Sequence, residues 1–253
     1  MTSMDEPVLI FDLDGTIIDV NSFPLWAGDM LRGRVPSIDR AGRTAIALRT
    51  AAALARRKLL REPHDTFKAR LQRIWTRATE RAATDLSVDL VARLASHVRP
   101  NLDLILRDVA SGTVDAVLTT AAAAEYALPL ARHLGFRHAI ATPTAGSADC
   151  TENVGSTKRD RTLAYLVAQG WADRPRIFFT DHRDDLPLIR ECQTIVWLGP
   201  DAECASVCGA VEGITTIVAR PLAANVLHGH AVDKRSQGSV VAFDGRSRIR
   251  ACT

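Results

Sequence analysis

Apolar residues follow two rhythms along this chain, and the change between them divides it. Val8-Leu9-Ile10-Phe11 is an unbroken apolar run, followed at once by Asp12-Leu13-Asp14-Gly15-Thr16. A run this short and continuous predicts a buried strand, and Gly15 with Thr16 predicts a sharp turn after it. Past Asp19 the rhythm changes. From about Phe23 to Leu106, apolar positions recur at helical spacing: Leu48, Ala52 and Ala55 share one face, and Phe67, Leu71, Ile74 and Trp75 share another. Pro36, Pro63 and Pro100 cut this stretch into several helices, and no convincing strand interrupts it.

Beyond it, short apolar runs alternate with helical patterns. Ala116-Val117-Leu118 predicts a second strand ending at Thr119, then a helix from Ala121 to Leu134 that Gly135 stops. His138 to Ala141 predicts a third strand, and Thr157 with Asp160 a helix opened by a capping box. Arg176 to Phe179 predicts a fourth strand ending at Thr180-Asp181, with Asp184 as the cap of a further helix. Thr194 to Leu198 and Thr215 to Val218 predict a fifth and a sixth. Strands separated by helices imply a parallel sheet with right-handed crossovers. The segment after His228 has no clear period and reads as either a loose tail or a late hairpin.

At 253 residues, 47% hydrophobic and 24% charged, the chain has the size and balance of a soluble globular protein: one large domain, or one with an insertion. A net charge of +3 does not point to nucleic acid. The helical stretch is nonetheless basic: Arg32, Arg34, Arg40, Arg43, Arg49, Arg56, Arg57, Lys58 and Arg61 meet few acids. Without interleaved aromatics these read mostly as a solvated face, with one or two available to an anionic substrate. No run of 18 apolar residues predicts a membrane span. The stretch from Met1 to Pro7 lacks the basic and apolar regions of a signal peptide. Five cysteines without framework spacing suit a reducing cytoplasm.

In an open parallel sheet, ligands gather beyond the carboxyl ends of the strands. At those ends, or on the helix starts beside them, stand Asp12, Asp14, Thr119, Lys158, Asp181 and Asp185. Singly, each has a plain structural explanation: a bare pair of aspartates can sit hydrogen-bonded in a loop, Thr119 and Asp185 can cap helices, and Lys158 can be a solvated first-turn residue. Jointly they have one coherent chemistry, phosphoryl transfer through a covalent aspartyl phosphate assisted by magnesium. Asp12 can attack phosphorus as a carboxylate. Asp14 can give a proton to the leaving alkoxide and later take one from water. Magnesium prefers oxygen ligands, which Asp12, Asp181 and the carbonyl of Asp14 can supply, with Asp185 ligating directly or through a water. Lys158 offsets the crowded negative charge and holds the phosphoryl oxygens, and Thr119 donates a hydroxyl hydrogen bond to one of them.

These residues, in this order, resemble the motifs of the haloacid dehalogenase (HAD) superfamily, and most closely its phosphoserine-phosphatase-like branch with a helical cap after the first motif. Asp12-Leu13-Asp14-Gly15-Thr16 resembles the first motif, Thr119 in Val-Leu-Thr-Thr-Ala the second, and Lys158 in Asn-Val-Gly-Ser-Thr-Lys the third. Thr180-Asp181-His182-Arg183-Asp184-Asp185 resembles the fourth, with Thr180 and His182 where the family usually has Gly and Ser. The resemblance implies an α/β fold: a Rossmann-like parallel sheet core flanked by helices, residues 1–20 and 107–228, with an all-helical cap inserted over 21–106 and a tail over 229–253. It implies a Mg2+-dependent phosphatase acting on a small phosphorylated metabolite, with Asp12 and Asp14 catalytic. Thr119 and Lys158 then bind phosphate, and Asp12, Asp14, Asp181 and Asp185 hold the metal. A phosphotransferase, or a low-turnover binding or regulatory protein, would carry the same motifs. They name neither the substrate nor the oligomeric state.

Overall fold

β1 (Val8–Phe11) is buried along its whole length because both of its faces are covered. Its side chains alternate, Leu9 and Phe11 entering one apolar cluster and Val8 and Ile10 the other. The structure is a computed structural model and describes residues 6–35, 37–82, 85–211, 214–220, 227–232, 240–243 and 249–252. Pro36, one of the expected helix breaks, and the first five residues lie outside that set.

β1 pairs in parallel with β2 (Ala116–Ala123) on one side and β4 (Arg176–Thr180) on the other. With β3 (His138–Thr142), β5 (Thr194–Trp197) and β6 (Thr215–Arg220), the parallel order is β3-β2-β1-β4-β5-β6. The same sheet continues antiparallel through β7 (Leu227–Val232), β8 (Val240–Phe243) and β9 (Ile249–Cys252). The segment expected as a tail or hairpin thus carries paired strands.

Among the described residues, five α-helices separate β1 from β2: α1 (Ser22–Arg32), α2 (Arg40–Leu60), α3 (His64–Ala82), α4 (Val88–Ala95) and α5 (Asp103–Ser111). Asn21 caps α1 by accepting from the Phe23 N–H, and Gly33 ends it at φ 62°. Asp39 caps α2 by accepting from the Gly42 N–H. Pro63 precedes α3, and Pro100 opens a short 3₁₀ turn before α5. On α3 the expected face packs inward, with Phe67, Leu71 and Trp75 buried. On α2 it does not. Ile46, Thr50 and Ala53 are buried instead, and Leu48, Ala52 and Ala55 face solvent. An alanine-rich helix has weak preferences between its faces, and the branched Ile46 decides which one turns to the core.

The chain leaves for these helices and returns along neighbouring backbone. Asp19 N–H donates to His97 C=O at 3.1 Å, and Arg99 N–H to Ile17 C=O at 2.9 Å. Ile18 and Val98 form an antiparallel bridge between the two stretches. Apolar residues of α1–α5 and of α6 (Ala124–His133) join the cluster on one side of the sheet. Those of α7 (Gly155–Ala168), α8 (Leu186–Ile189) and α9 (Asp201–Ala210) cover the other.

Three local expectations are corrected. β2 runs four residues beyond Thr119, to Ala123. α7 begins at Gly155 and has no side-chain cap, so the Thr157–Asp160 box does not form; Gly155 lies at φ 56°, which lets the chain turn into the helix early. Asp184 lies within a 3₁₀ turn, Arg183–Asp185, whose cap is the His182 side chain accepting from the Asp184 N–H.

Candidate active site

Lys158 lies on the first turns of α7 with its side chain buried. Its ammonium donates to Asp12 Oδ1 at 2.9 Å and to both oxygens of Asp185, at 2.7 and 2.9 Å. Asp12 follows β1 and Asp185 closes the turn after β4, so one cation ties together carboxylates 173 residues apart in sequence. The Thr180 hydroxyl donates to Asp185 Oδ2 at 2.6 Å and fixes the far side of that carboxylate.

Gly15, at φ 71°, makes the turn after Asp14. The Asp14 carboxylate accepts from the backbone N–H and the hydroxyl of Ser22 at the start of α1, both at 3.0 Å. Ser22 in turn shares a 3.0 Å hydrogen bond with the buried Tyr126 hydroxyl of α6. Asp181 accepts from the Thr16 hydroxyl at 3.2 Å. It approaches the turn so closely that a Cβ on Gly15 would lie 1.9 Å from Asp181 Oδ2, and a Cβ on Gly199 would lie 2.1 Å from the Asp181 carbonyl oxygen. Only glycine fits at either position without moving Asp181.

Four carboxylates therefore share the carboxyl ends of β1 and β4 with one ammonium. Burial pushes the Asp12 carboxyl up to about 7, against the pull of Lys158, and Asp185 and Asp181 push the same way. Burial raises Asp14 to about 6 despite its bonds from Ser22. Asp181 is raised by burial as well. Burial alone would discharge Lys158, but the charges of Asp12 and Asp185 reverse the sign, and its pKa lies above the ordinary lysine value. Among the described residues, neither Asp14 nor Asp181 has an ion-pair partner. Positive charge is in deficit here.

A cavity of about 340 Å³ opens onto Asp12, Asp14, Lys158, Asp181 and Asp185. Thr119 is not among its walls. The Thr119 hydroxyl is buried against Thr162 Oγ1 at 2.9 Å and accepts from Asn153 Nδ2 at 3.3 Å. Thr120, next to it, lines the cavity instead; its oxygen accepts from the Ala122 N–H at 3.0 Å. The β2–β3 register shifts between Thr119 and Ala123, and simple alternation does not carry through that shift. None of the nine basic residues singled out on α1, α2 and their flanks lines this cavity. His182 does, while its Nδ1 accepts within its own loop.

Ser22, Thr120 and Asn153 also stand at the site, and the sequence pattern does not single them out. Ser22 follows the Asn21 cap and looks like a second capping residue. Asn153 precedes the glycine that starts α7; its Nδ2 also donates to Thr120 C=O at 3.0 Å, which pins the loop to the end of β2. Among the described residues, no three acidic, histidine or cysteine side chains already form a metal cage; Lys158 holds Asp12 and Asp185. The donor set nevertheless fits a hard divalent cation. It is all oxygen, Asp181 has no ion-pair partner among the described residues, and the missing Cβ of Gly15 clears the space between Asp181 and the turn.

A family model described as haloacid dehalogenase-like hydrolase matches residues 9–190. No curated protein is similar enough in sequence to match. Among solved structures, a protein of unknown function from Bordetella pertussis Tohama I superposes with a TM-score of 0.63 at 17% identity, over 84% of this chain and 98% of that one. A HAD family hydrolase from Salmonella enterica serovar Typhi superposes with a TM-score of 0.50 at 10% identity, over 81% and 67%. At these identities the likeness is one of fold.

Proposed function

Because this chain belongs to the haloacid dehalogenase-like hydrolases, we propose that it is a magnesium-dependent phosphomonoester phosphatase acting on a small phosphorylated metabolite. The observation that carries the reading is the Lys158 ammonium bridging Asp12 and Asp185, with Asp14 and Asp181 on the same cavity.

In this mechanism the Asp12 carboxylate attacks phosphorus, and the bond from phosphorus to the leaving alkoxide breaks. Asp14 gives that alkoxide its proton. A carboxyl raised to about 6 by burial keeps a proton available near neutral pH far more often than an exposed aspartate does. Asp14 then takes a proton from water, the water oxygen attacks phosphorus, and phosphate leaves with the Asp12 carboxylate restored. Ser22 fixes Asp14 through both of its oxygens. Lys158, held by Asp185, meets the phosphoryl oxygens as a fixed charge. Magnesium would be held by the carboxylates of Asp12 and Asp181 and the carbonyl of Asp14, with Asp185 directly or through a water, and supplies Lewis-acid charge when bound.

The hydroxyl contact to phosphate comes from the end of β2. Thr120 lines the cavity, and among the described residues its hydroxyl accepts from Ala122 but donates to none; Thr119 can reach only by giving up Thr162. We take the sheet with its flanking helices as the core, and the helices between the junctions at residues 17–19 and 97–99 as a cap that excludes water and selects the leaving group. A reducing cytoplasm suits four free thiols among the described residues.

The test is release of phosphate from an aryl phosphate ester. Turnover should need magnesium, stop on chelation and vanish in Asp12→Asn. A wild type inert across a broad panel of phosphate esters would sink the proposal, and an alcohol phosphate among the products would identify a phosphotransferase.

A further inference from the structure

The face of α2 that the sequence suggested as a packing stripe is the face turned to solvent. Ala41, Thr44, Leu48, Ala52, Ala55 and Leu59 recur at spacings of three and four, so they form one line along the helix, and all six are exposed. Leu48 is 66% exposed, Leu59 81% and the neighbouring Leu60 62%. Leu31 and Arg32, at the end of α1, wall the same shallow depression as Leu48. The line is apolar along its middle and cationic on both sides: Arg49 and Arg56 flank it on one edge, Arg40 and Lys58 on the other. From Arg40 to Arg61 there is no acidic residue. Among the described residues, Arg40, Arg43, Arg49, Lys58 and Arg61 have no ion-pair partner. The acids at the two ends are engaged: Asp39 caps the helix, and Glu62 is held by Arg70 at 2.5 Å, with Arg56 of the flank more loosely paired to it at 3.7 Å.

We propose that this face of α2, extended by the end of α1, docks the protein on an anionic lipid surface. Charge complementarity selects that occupant. A second copy meeting face to face would set arginine against arginine along both edges. A nucleic-acid backbone would satisfy the cations but leave the leucines against a polar surface. An anionic bilayer satisfies both. Phosphate headgroups meet the flanking cations, whose long stems can lie along the membrane surface, and the leucine line enters the boundary of the acyl region. α2 carries too many charges to span a bilayer, and no described helix is long and apolar enough to do so; it lies flat.

The experiment is sedimentation of the full chain with vesicles of phosphatidylcholine alone, or of phosphatidylcholine with about one-quarter phosphatidylglycerol, where a quarter of anionic lipid gives a strongly negative surface. The anionic vesicles should carry the protein down and the neutral ones should not. Replacing three cations (Arg49→Gln, Arg56→Gln, Lys58→Gln) should weaken binding roughly fivefold per residue, about a hundredfold together. Leu48→Ser with Leu59→Ser leaves the charge unchanged and should weaken it about tenfold or more. All five positions are exposed or on the rim of the helix, so thermal unfolding of both variants should match wild type. The proposal fails if anionic vesicles leave the protein in solution, or if the serine pair binds as wild type does. It fails equally if light scattering finds a dimer that the serine pair splits. None of these readouts depends on turnover.

Discussion

Asp12 is the residue with most at stake, because it is both the proposed nucleophile and one of two anions held by a buried ammonium. Asp12→Asn keeps the shape and leaves Lys158 on Asp185, so turnover should fall by about 10³ or more while unfolding in urea stays close to wild type. Lys158→Met removes the shared cation and strands two buried carboxylates. It should cost about 3–5 kcal/mol of stability, measured in the same urea titration. For the phosphate contact, Thr120→Val should raise KM more than Thr119→Val does; the reverse order would mean that Thr119 leaves Thr162 when substrate binds. Cys192 gives a pH dependence. Burial pushes its thiol up to about 12, so its stabilising contribution is intact below the ordinary thiol pKa and is lost as pH rises from about 9 towards 12. The unfolding midpoint should fall over that window in wild type and less steeply in Cys192→Ala. At this scale the acids and Lys158 were legible because strands and helix starts deliver them. Ser22, Thr120 and Asn153 were not, because small polar residues at element ends also serve as ordinary caps.

Among the elements, α3 makes the most specific connection between the helical segment and the sheet. Lys68 is buried there, donating to Ala121 C=O, to Glu152 at 2.5 Å and to Thr142 Oγ1 at 3.3 Å. One turn on, Gln72 donates to Glu125 and to Pro143 C=O, each at 2.9 Å. Lys68→Met should cost about 3 kcal/mol, at the low end for a broken buried pair because Glu152 keeps some solvent access. Calorimetry would read it as a lowered melting temperature. Strands β1 and β4 were readable from their apolar runs, and α3 from its aromatic positions. β2 was cut short because Thr119-Thr120-Ala121-Ala122-Ala123 carries no bulky alternation. The orientation of α2 is hidden for a related reason: alanine and leucine at helical spacing look alike on a core stripe and on a face left to solvent.

For the molecule as a whole, the deficit of positive charge at the site couples ligand binding to folding. Magnesium held only by the folded chain should raise its stability by about 2.7 kcal/mol at a hundredfold excess over Kd. The accompanying rise in melting temperature should be absent in Asp181→Asn. The parallel order of the central strands followed from the alternation of strands and helices. The antiparallel continuation through β7 to β9 did not, because strands of four to six residues are too short to set a period by themselves. One further property follows from how the helical segment joins the sheet. Its two junctions at residues 17–19 and 97–99 lie side by side and hydrogen-bonded, so the sheet is routed independently of whatever hangs between them. A segment of another size or shape could be spliced there, provided that it again supplied the two hydrogen bonds that Ser22 gives to Asp14. If that segment selects the leaving group, specificity can change by exchange of one contiguous stretch of chain while the carboxylates of β1 and β4 stay on their strand ends.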